Sequence, residues 1–140
     1  MIKLSNEFLS LSIKRGAILH SYMFHDIDHG KFFVVVGVSE DKVAGFFFIN
    51  SRVNKYVQRN QDMLEAQIPI RKDDYSFLTH DSFISATHFT EIKVSEIVDS
   101  INHGETKFVE ELNEKDISSV LECVRTSVLF TNKDRKKYAK

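Results

Sequence analysis

Residues 31–51 read KFFVVVGVSEDKVAGFFFINS, and no other stretch restricts the fold of this chain so tightly. Phe32, Phe33, Val34, Val35, Val36 and Val38 form one apolar run, and Phe46, Phe47, Phe48 and Ile49 form another. Between them Ser39-Glu40-Asp41-Lys42 is polar enough to turn. Short runs of β-branched and aromatic residues predict two strands of a hairpin. Neither run alternates with polar residues. A strand that is apolar on successive positions must be covered on both faces, so this hairpin lies at the centre of a barrel or of a sheet sandwiched between other elements. With 12 phenylalanines and no tryptophan in the chain, the covered volume is filled mostly by aromatic bulk without a polar handle.

The rest of the chain has to supply the cover. Residues 1–13 place Leu4, Phe8 and Leu11 at helical spacing behind Ser5 or Asn6 as a cap, which predicts a short helix or a swapped arm. After Lys14-Arg15-Gly16, residues 17–24 alternate loosely and read as the first barrel strand. His25-Asp26-Ile27-Asp28-His29-Gly30 is a polar loop, in which Gly30 can take a positive φ. Beyond Ser51 the pattern changes: Val53, Tyr56 and Val57 share one helical stripe, and Arg52, Lys55 and Arg59 share the adjoining one. Residues 52–62 therefore read as a short amphipathic excursion with a cationic face. Strand character resumes at 65–70, where Pro69, the only proline, belongs on an edge. Residues 82–86 and 89–92 give two further short strands.

The C-terminal third reads as helical. Val94, Ile97, Val98 and Ile101 follow helical spacing, and Gly104 stands just past the end. An extended piece at 106–109 precedes the longest helix, which starts at Asn113 with Asp116 three positions on. Ile117, Val120, Leu121, Val124, Val128 and Leu129 continue its apolar stripe. The last eight residues, KDRKKYAK, carry five positive side chains and read as a solvated basic tail. The expectation is one domain: an arm over 1–14, barrel strands over 15–92 and a helical part over 93–131, with the tail at 132–140.

Charge and cysteine usage remove several functional classes. Lys and Arg number 19 against 20 Asp and Glu, so there is no overall basic field, and any nucleic-acid contact must come from a local patch. Cys123 is alone, which excludes a disulfide framework and a cysteine-based zinc site. The absence of a charged start followed by a long apolar stretch, and of any apolar run near the roughly 20 residues of a membrane span, predicts a soluble cytoplasmic protein. His25 and His29, with Asp26 and Asp28, have the spacing of a metal clip. That spacing brings two rings to one face only on a helix, and Gly30 marks a loop, so the reading is a solvated turn and no metal or other cofactor.

Taken in order, the pieces resemble the PemK/MazF family of small toxins from toxin-antitoxin systems. The similarity lies in Arg15-Gly16-Ala17-Ile18-Leu19 at the first strand and in Gly30-Lys31-Phe32-Phe33-Val34-Val35-Val36 at the second. It continues in Phe46-Phe47-Phe48-Ile49-Asn50-Ser51, in Asp81-Ser82-Phe83-Ile84, and in Thr126-Ser127 near the end of the terminal helix. The resemblance implies an α+β, mainly β fold: a small SH3-like barrel with short helices and a C-terminal helix packed on it. It also implies a homodimer, an antitoxin protein or peptide as partner, and metal-independent cleavage of single-stranded RNA, in which the 2′-hydroxyl attacks the adjacent phosphorus.

Two departures fall on the chemistry. Where the family carries an Arg-Pro pair this sequence has Lys31-Phe32, which keeps the charge but not the planar fork that holds two phosphate oxygens. Where some members carry an Arg and an Asp one residue apart, Ser85 and Thr87 stand here. The acid and base must then come from histidine, with His25 or His29 and His80 as the proton-transfer groups. Lys31 and Ser51, with Arg52, would stabilise the phosphorane, and Asn50, Arg52, Lys55 and Arg59 would hold RNA. The alternative is a non-catalytic barrel that binds a peptide or nucleic acid through the Arg52, Lys55 and Arg59 face, which is otherwise simply a wet helix surface. A third is an assembly protein whose Phe-rich sheet forms an oligomer interface.

Overall fold

The computed structural model describes residues 5–24 and 29–140. The two apolar runs are strands β2 (Lys31–Val38) and β3 (Val43–Asn50), paired antiparallel with Phe32 opposite Ile49 and Val35 opposite Phe46. At the turn Lys42 takes a φ of +62°, its N–H donating to the Ser39 carbonyl, while Ser39 Oγ accepts from the Val43 N–H. β1 (Ala17–Ser21) flanks β2 on the other side and is itself flanked by β7 (Thr106–Glu111). β3 is long enough to serve two neighbours. Its first half pairs β6 (Thr90–Lys93), and its last two residues pair β5 (Ser82–Ser85), which pairs β4 (Gln67–Ile70).

All pairings are antiparallel, and the order is β4-β5-β3-β2-β1-β7 with β6 beside β3. The class is α+β, mainly β, as expected. The sheet is not closed: β4 and β7 end the strand order, and the outer side of β6 is also unpaired among the described residues. Pro69 lies on the β4 edge, where a missing donor breaks no ladder.

The missing alternation has a direct cause, because successive residues of the hairpin enter two different cores. Val34, Val36, Phe47 and Ile49 face a cluster completed by Ile18, Ile68, Ile70 and Ile84 and covered by α5 (Glu114–Thr126) and α6 (Asn132–Tyr138). Phe33, Val35, Ala44 and Phe46 face the other cluster, closed by Leu9 and Ile13 at α1 (Asn6–Ser12) and by Val94, Ile97 and Val98 of α4 (Val94–Asn102). The hairpin is thus sandwiched. Asn113 caps α5 by accepting from the Asp116 N–H. The Asp116 carboxylate is buried and accepts from Tyr75 Oη at 2.5 Å, which ties the β4–β5 connection to the helix start.

Four expectations change. α1 exists behind its Ser5 cap, but it buries Leu9 and Ile13, a step of four apart, and leaves Phe8 and Leu11 in water; Leu4 lies outside the described residues. The excursion at 52–62 is two short turns, α2 (Lys55–Gln58) and α3 (Gln61–Glu65). Asn54 and Asn60 each cap a fresh start, Tyr56 is exposed, and Arg52 precedes both turns. α5 stops at Thr126, so Val128 does not continue the buried stripe and is 78% exposed. The basic tail is not solvated throughout. It forms α6, and Tyr138, 1% exposed, stands over two glycines paired across the hairpin. A Cβ on Gly37 would lie 2.5 Å from the Tyr138 carbonyl oxygen, and one on Gly45 would lie 2.7 Å from its ring. Arg15 locks the arrangement, its guanidinium donating to the carbonyls of Val36 and Tyr138. Among the described residues no helix is long and apolar enough to cross a membrane.

Candidate functional site

Antiparallel pairing of β2 with β3 puts the first residue of one strand beside the last of the other, so Lys31 and Asn50 meet at one end of the sheet. Gly30 makes the entry to β2 fit. At φ +72° it presses on β1, and a Cβ there would lie 2.6 Å from the His20 ring. Lys31 Nζ donates to Asn50 Oδ1 and lies 5.7 Å from the centroid of the Phe48 ring. Partial burial of the ammonium lowers its pKa below the ordinary lysine value.

Around this pair opens a groove of about 420 Å³ whose walls come from three further places. Ser51 and Arg52 continue from β3, Phe77, Leu78, Thr79 and His80 arrive from the β4–β5 connection, and Ser82 opens β5. Phe32, Ile49 and Phe77 give it an apolar floor, with the Phe32 and Phe77 rings 4.8 Å apart. The His80 segment is held where it enters β5: Ser82 Oγ donates to the His80 carbonyl at 2.9 Å, and Asp81 Oδ1 accepts from the Lys72 N–H at 2.9 Å.

Of the residues singled out from the sequence, Lys31, Asn50, Ser51, Arg52 and His80 come together in this groove. His29 is exposed next to Gly30 and does not line it, and His25 lies outside the described residues. Lys55 on α2 and Arg59 at its C-cap are exposed and do not line the groove, so of the three cations only Arg52 reaches it. Ser85 Oγ accepts from Gln67 Nε2 at 3.2 Å, and Thr87 Oγ1 lies 3.2 Å from His88 Nδ1. Sequence reasoning missed the floor. Phe32 and Phe77 looked like ordinary strand residues, and only the fold of the β4–β5 connection over β2 sets one on the other.

The groove offers two cationic side chains, Asn50 and Ser51 as hydrogen-bonding groups, and one imidazole. Together these can hold a phosphodiester from several sides and move a proton beside it. A larger groove of about 780 Å³ lies between β4 and α5, but Asp62, Glu65 and Glu122 line it, and their charge repels phosphate. Among the described residues no group of three or more His, Cys, Asp or Glu is placed to hold a metal ion. No family model matches the chain, and no curated protein matches it.

Proposed function

We propose that this chain is a PemK/MazF-like toxin-type protein whose groove at the end of β2 and β3 takes single-stranded RNA and cleaves it by attack of the 2′-hydroxyl on the neighbouring phosphorus. The observation that carries the reading is the meeting of Lys31, Asn50, Ser51, Arg52 and His80 from separate parts of the chain on one open groove. Lys31 and Arg52 neutralise the phosphorane oxygens, and Ser51 and Asn50 donate to them. His80 takes the 2′-hydroxyl proton as that oxygen bonds phosphorus, and the bond to the 5′-oxygen breaks with solvent protonating the leaving oxygen. Lys31 has no carboxylate partner among the described residues, and an approaching phosphate replaces the solvation it has lost. The homodimer and the antitoxin partner follow from the family resemblance, with the antitoxin segment competing with RNA for the groove.

A second reading has its own support. His80 is the one histidine among the described residues that lines the groove, which leaves the second proton-transfer role unfilled there. On that reading the groove binds single-stranded nucleic acid without cutting it. Incubating purified protein with mixed single-stranded RNA in chelator separates the two. Cleavage that leaves 2′,3′-cyclic phosphate ends, and that His80→Ala and Lys31→Ala abolish, supports the first. Intact RNA that is nonetheless bound supports the second. Growth arrest on expression of the isolated chain, relieved by Lys31→Ala, tests the toxin reading in cells.

A further inference from the structure

On one face of the sheet a row of side chains starts at the groove and runs across four strands. Residues directly opposite in an antiparallel ladder point to the same face. Ile49 is opposite Phe32, Phe32 is opposite His20, and His20 is opposite Lys107, so the four stand side by side from β3 to β7. The rings are in contact: Phe77 to Phe32 at 4.8 Å, Phe32 to His20 at 4.6 Å, and His20 to Tyr22 at 4.9 Å edge-on. The row begins in the groove floor with Phe77 and Phe32, passes half-buried His20, and ends at Tyr22, which is 56% exposed. Lys107 is exposed beside its outer end and makes no ion pair among the described residues.

From this placement we infer that Tyr22 and His20 form a base-stacking platform for a single strand of nucleic acid leaving the groove, with Lys107 meeting a backbone phosphate at the far end. The inference rests on the groove reading above and adds the direction of the strand and the groups that hold its bases. A strand held without regard to sequence needs cations to track its backbone and aromatic faces for its bases. Both are present here: Arg52 on the groove lining, then the rings, then Lys107, while Lys31, one residue before Phe32, projects to the opposite face at the strand end. An exposed tyrosine on a bare protein surface costs hydrophobic stabilisation, whereas a stacked base covers its ring.

The chain has no tryptophan, so Tyr22→Trp introduces a single tryptophan, excited apart from the remaining tyrosines, at the outer end of the row. The probes are a short oligouridylate and an abasic ribose-phosphate strand with the same number of phosphates, titrated at several salt concentrations. Binding of the oligouridylate should quench the Trp emission. The abasic strand should bind with a similar salt slope and leave the emission unchanged. Tyr22→Ala should weaken oligouridylate binding about tenfold, within the range for one stacked base, without altering the salt slope or the affinity for the abasic strand. Equal affinities for both strands with unquenched emission would overturn the platform while leaving the groove reading in place. If neither strand binds at low salt, the groove reading fails and the platform with it. Tyr22 is half in water, so both variants keep the fold, which an unchanged far-UV spectrum checks.

Discussion

Removing the Tyr138 side chain tests the account of the fold most directly. Its ring is buried against Gly45 and lies 4.7 Å from the Phe89 ring, and its hydroxyl donates to Glu91 Oε2 at 2.6 Å. Truncating an aromatic side chain at a packed site costs about 3–5 kcal/mol, a large share of the roughly 5–15 kcal/mol that holds a domain together. Tyr138→Phe keeps the ring and loses only a bond to a partly solvated carboxylate, so its cost is about 1 kcal/mol. Gly45→Ala attacks the same contact from the other side. The new methyl would stand 2.7–2.8 Å from three ring carbons that have no room to retreat, an overpacking cost of about 1–3 kcal/mol. Urea denaturation of the four members of a double-mutant cycle reads these values as midpoint shifts at constant slope. With the ring gone the alanine has space, so Gly45→Ala should cost less than about 0.5 kcal/mol in the Tyr138→Ala background. If the two losses simply add, or if Tyr138→Ala costs under about 1 kcal/mol, the tail does not occupy the slot described.

Three other outcomes follow from the same structure. The buried hydroxyls of Tyr75 and Tyr138 donate to Asp116 and Glu91, and burial first, then those carboxylates, raises both phenol pKa values. Stability is then intact below the ordinary phenol value near pH 10 and falls above it, where the unfolded chain loses protons that the folded one keeps. Each tyrosine contributes up to about 1.4 kcal/mol per pH unit, and a Tyr75→Phe, Tyr138→Phe double variant should show a flatter alkaline limb in urea midpoints. Burial lowers the Lys31 pKa, so its contribution to RNA affinity should fade as pH rises through a value below that of a free lysine. Lys31→Arg should retain affinity there in a fluorescence-anisotropy titration, and parallel curves for the two proteins would contradict the desolvated environment of Lys31. Asn113→Ala removes the acceptor for the Asp116 N–H at the start of α5 and should lower stability by about 1 kcal/mol, whereas the same change at exposed Asn132 should be close to neutral.

Part of the candidate site was legible because it is a consequence of pairing. Once residues 32–38 and 46–49 are recognised as neighbouring antiparallel strands, Lys31 must lie near Asn50 and Ser51, and no tertiary information is needed. His80 entered through the family resemblance, and nothing in its own neighbourhood of the sequence ties it to Lys31. Arg52 lies outside the helix that carries the other two cations for a local reason, since Asn54 caps a fresh start at α2 after it, and Lys55 and Arg59 sit on α2 and its C-cap.

The amino-acid pattern alone determined that the hairpin is buried on both faces, because residues that are apolar at every position leave no side for water. It also determined where α4 ends and α5 begins and which of their sides is wet, since those depend on contacts a few residues apart. What only the tertiary structure decided is where the last helix goes and which rings lie by the groove. KDRKKYAK carries the charge of a solvated segment, and the space for its tyrosine is cut by Gly37 and Gly45, roughly ninety to a hundred residues earlier and opposite each other only after the strands have paired. Shape complementarity between such distant segments leaves no periodic trace in either of them.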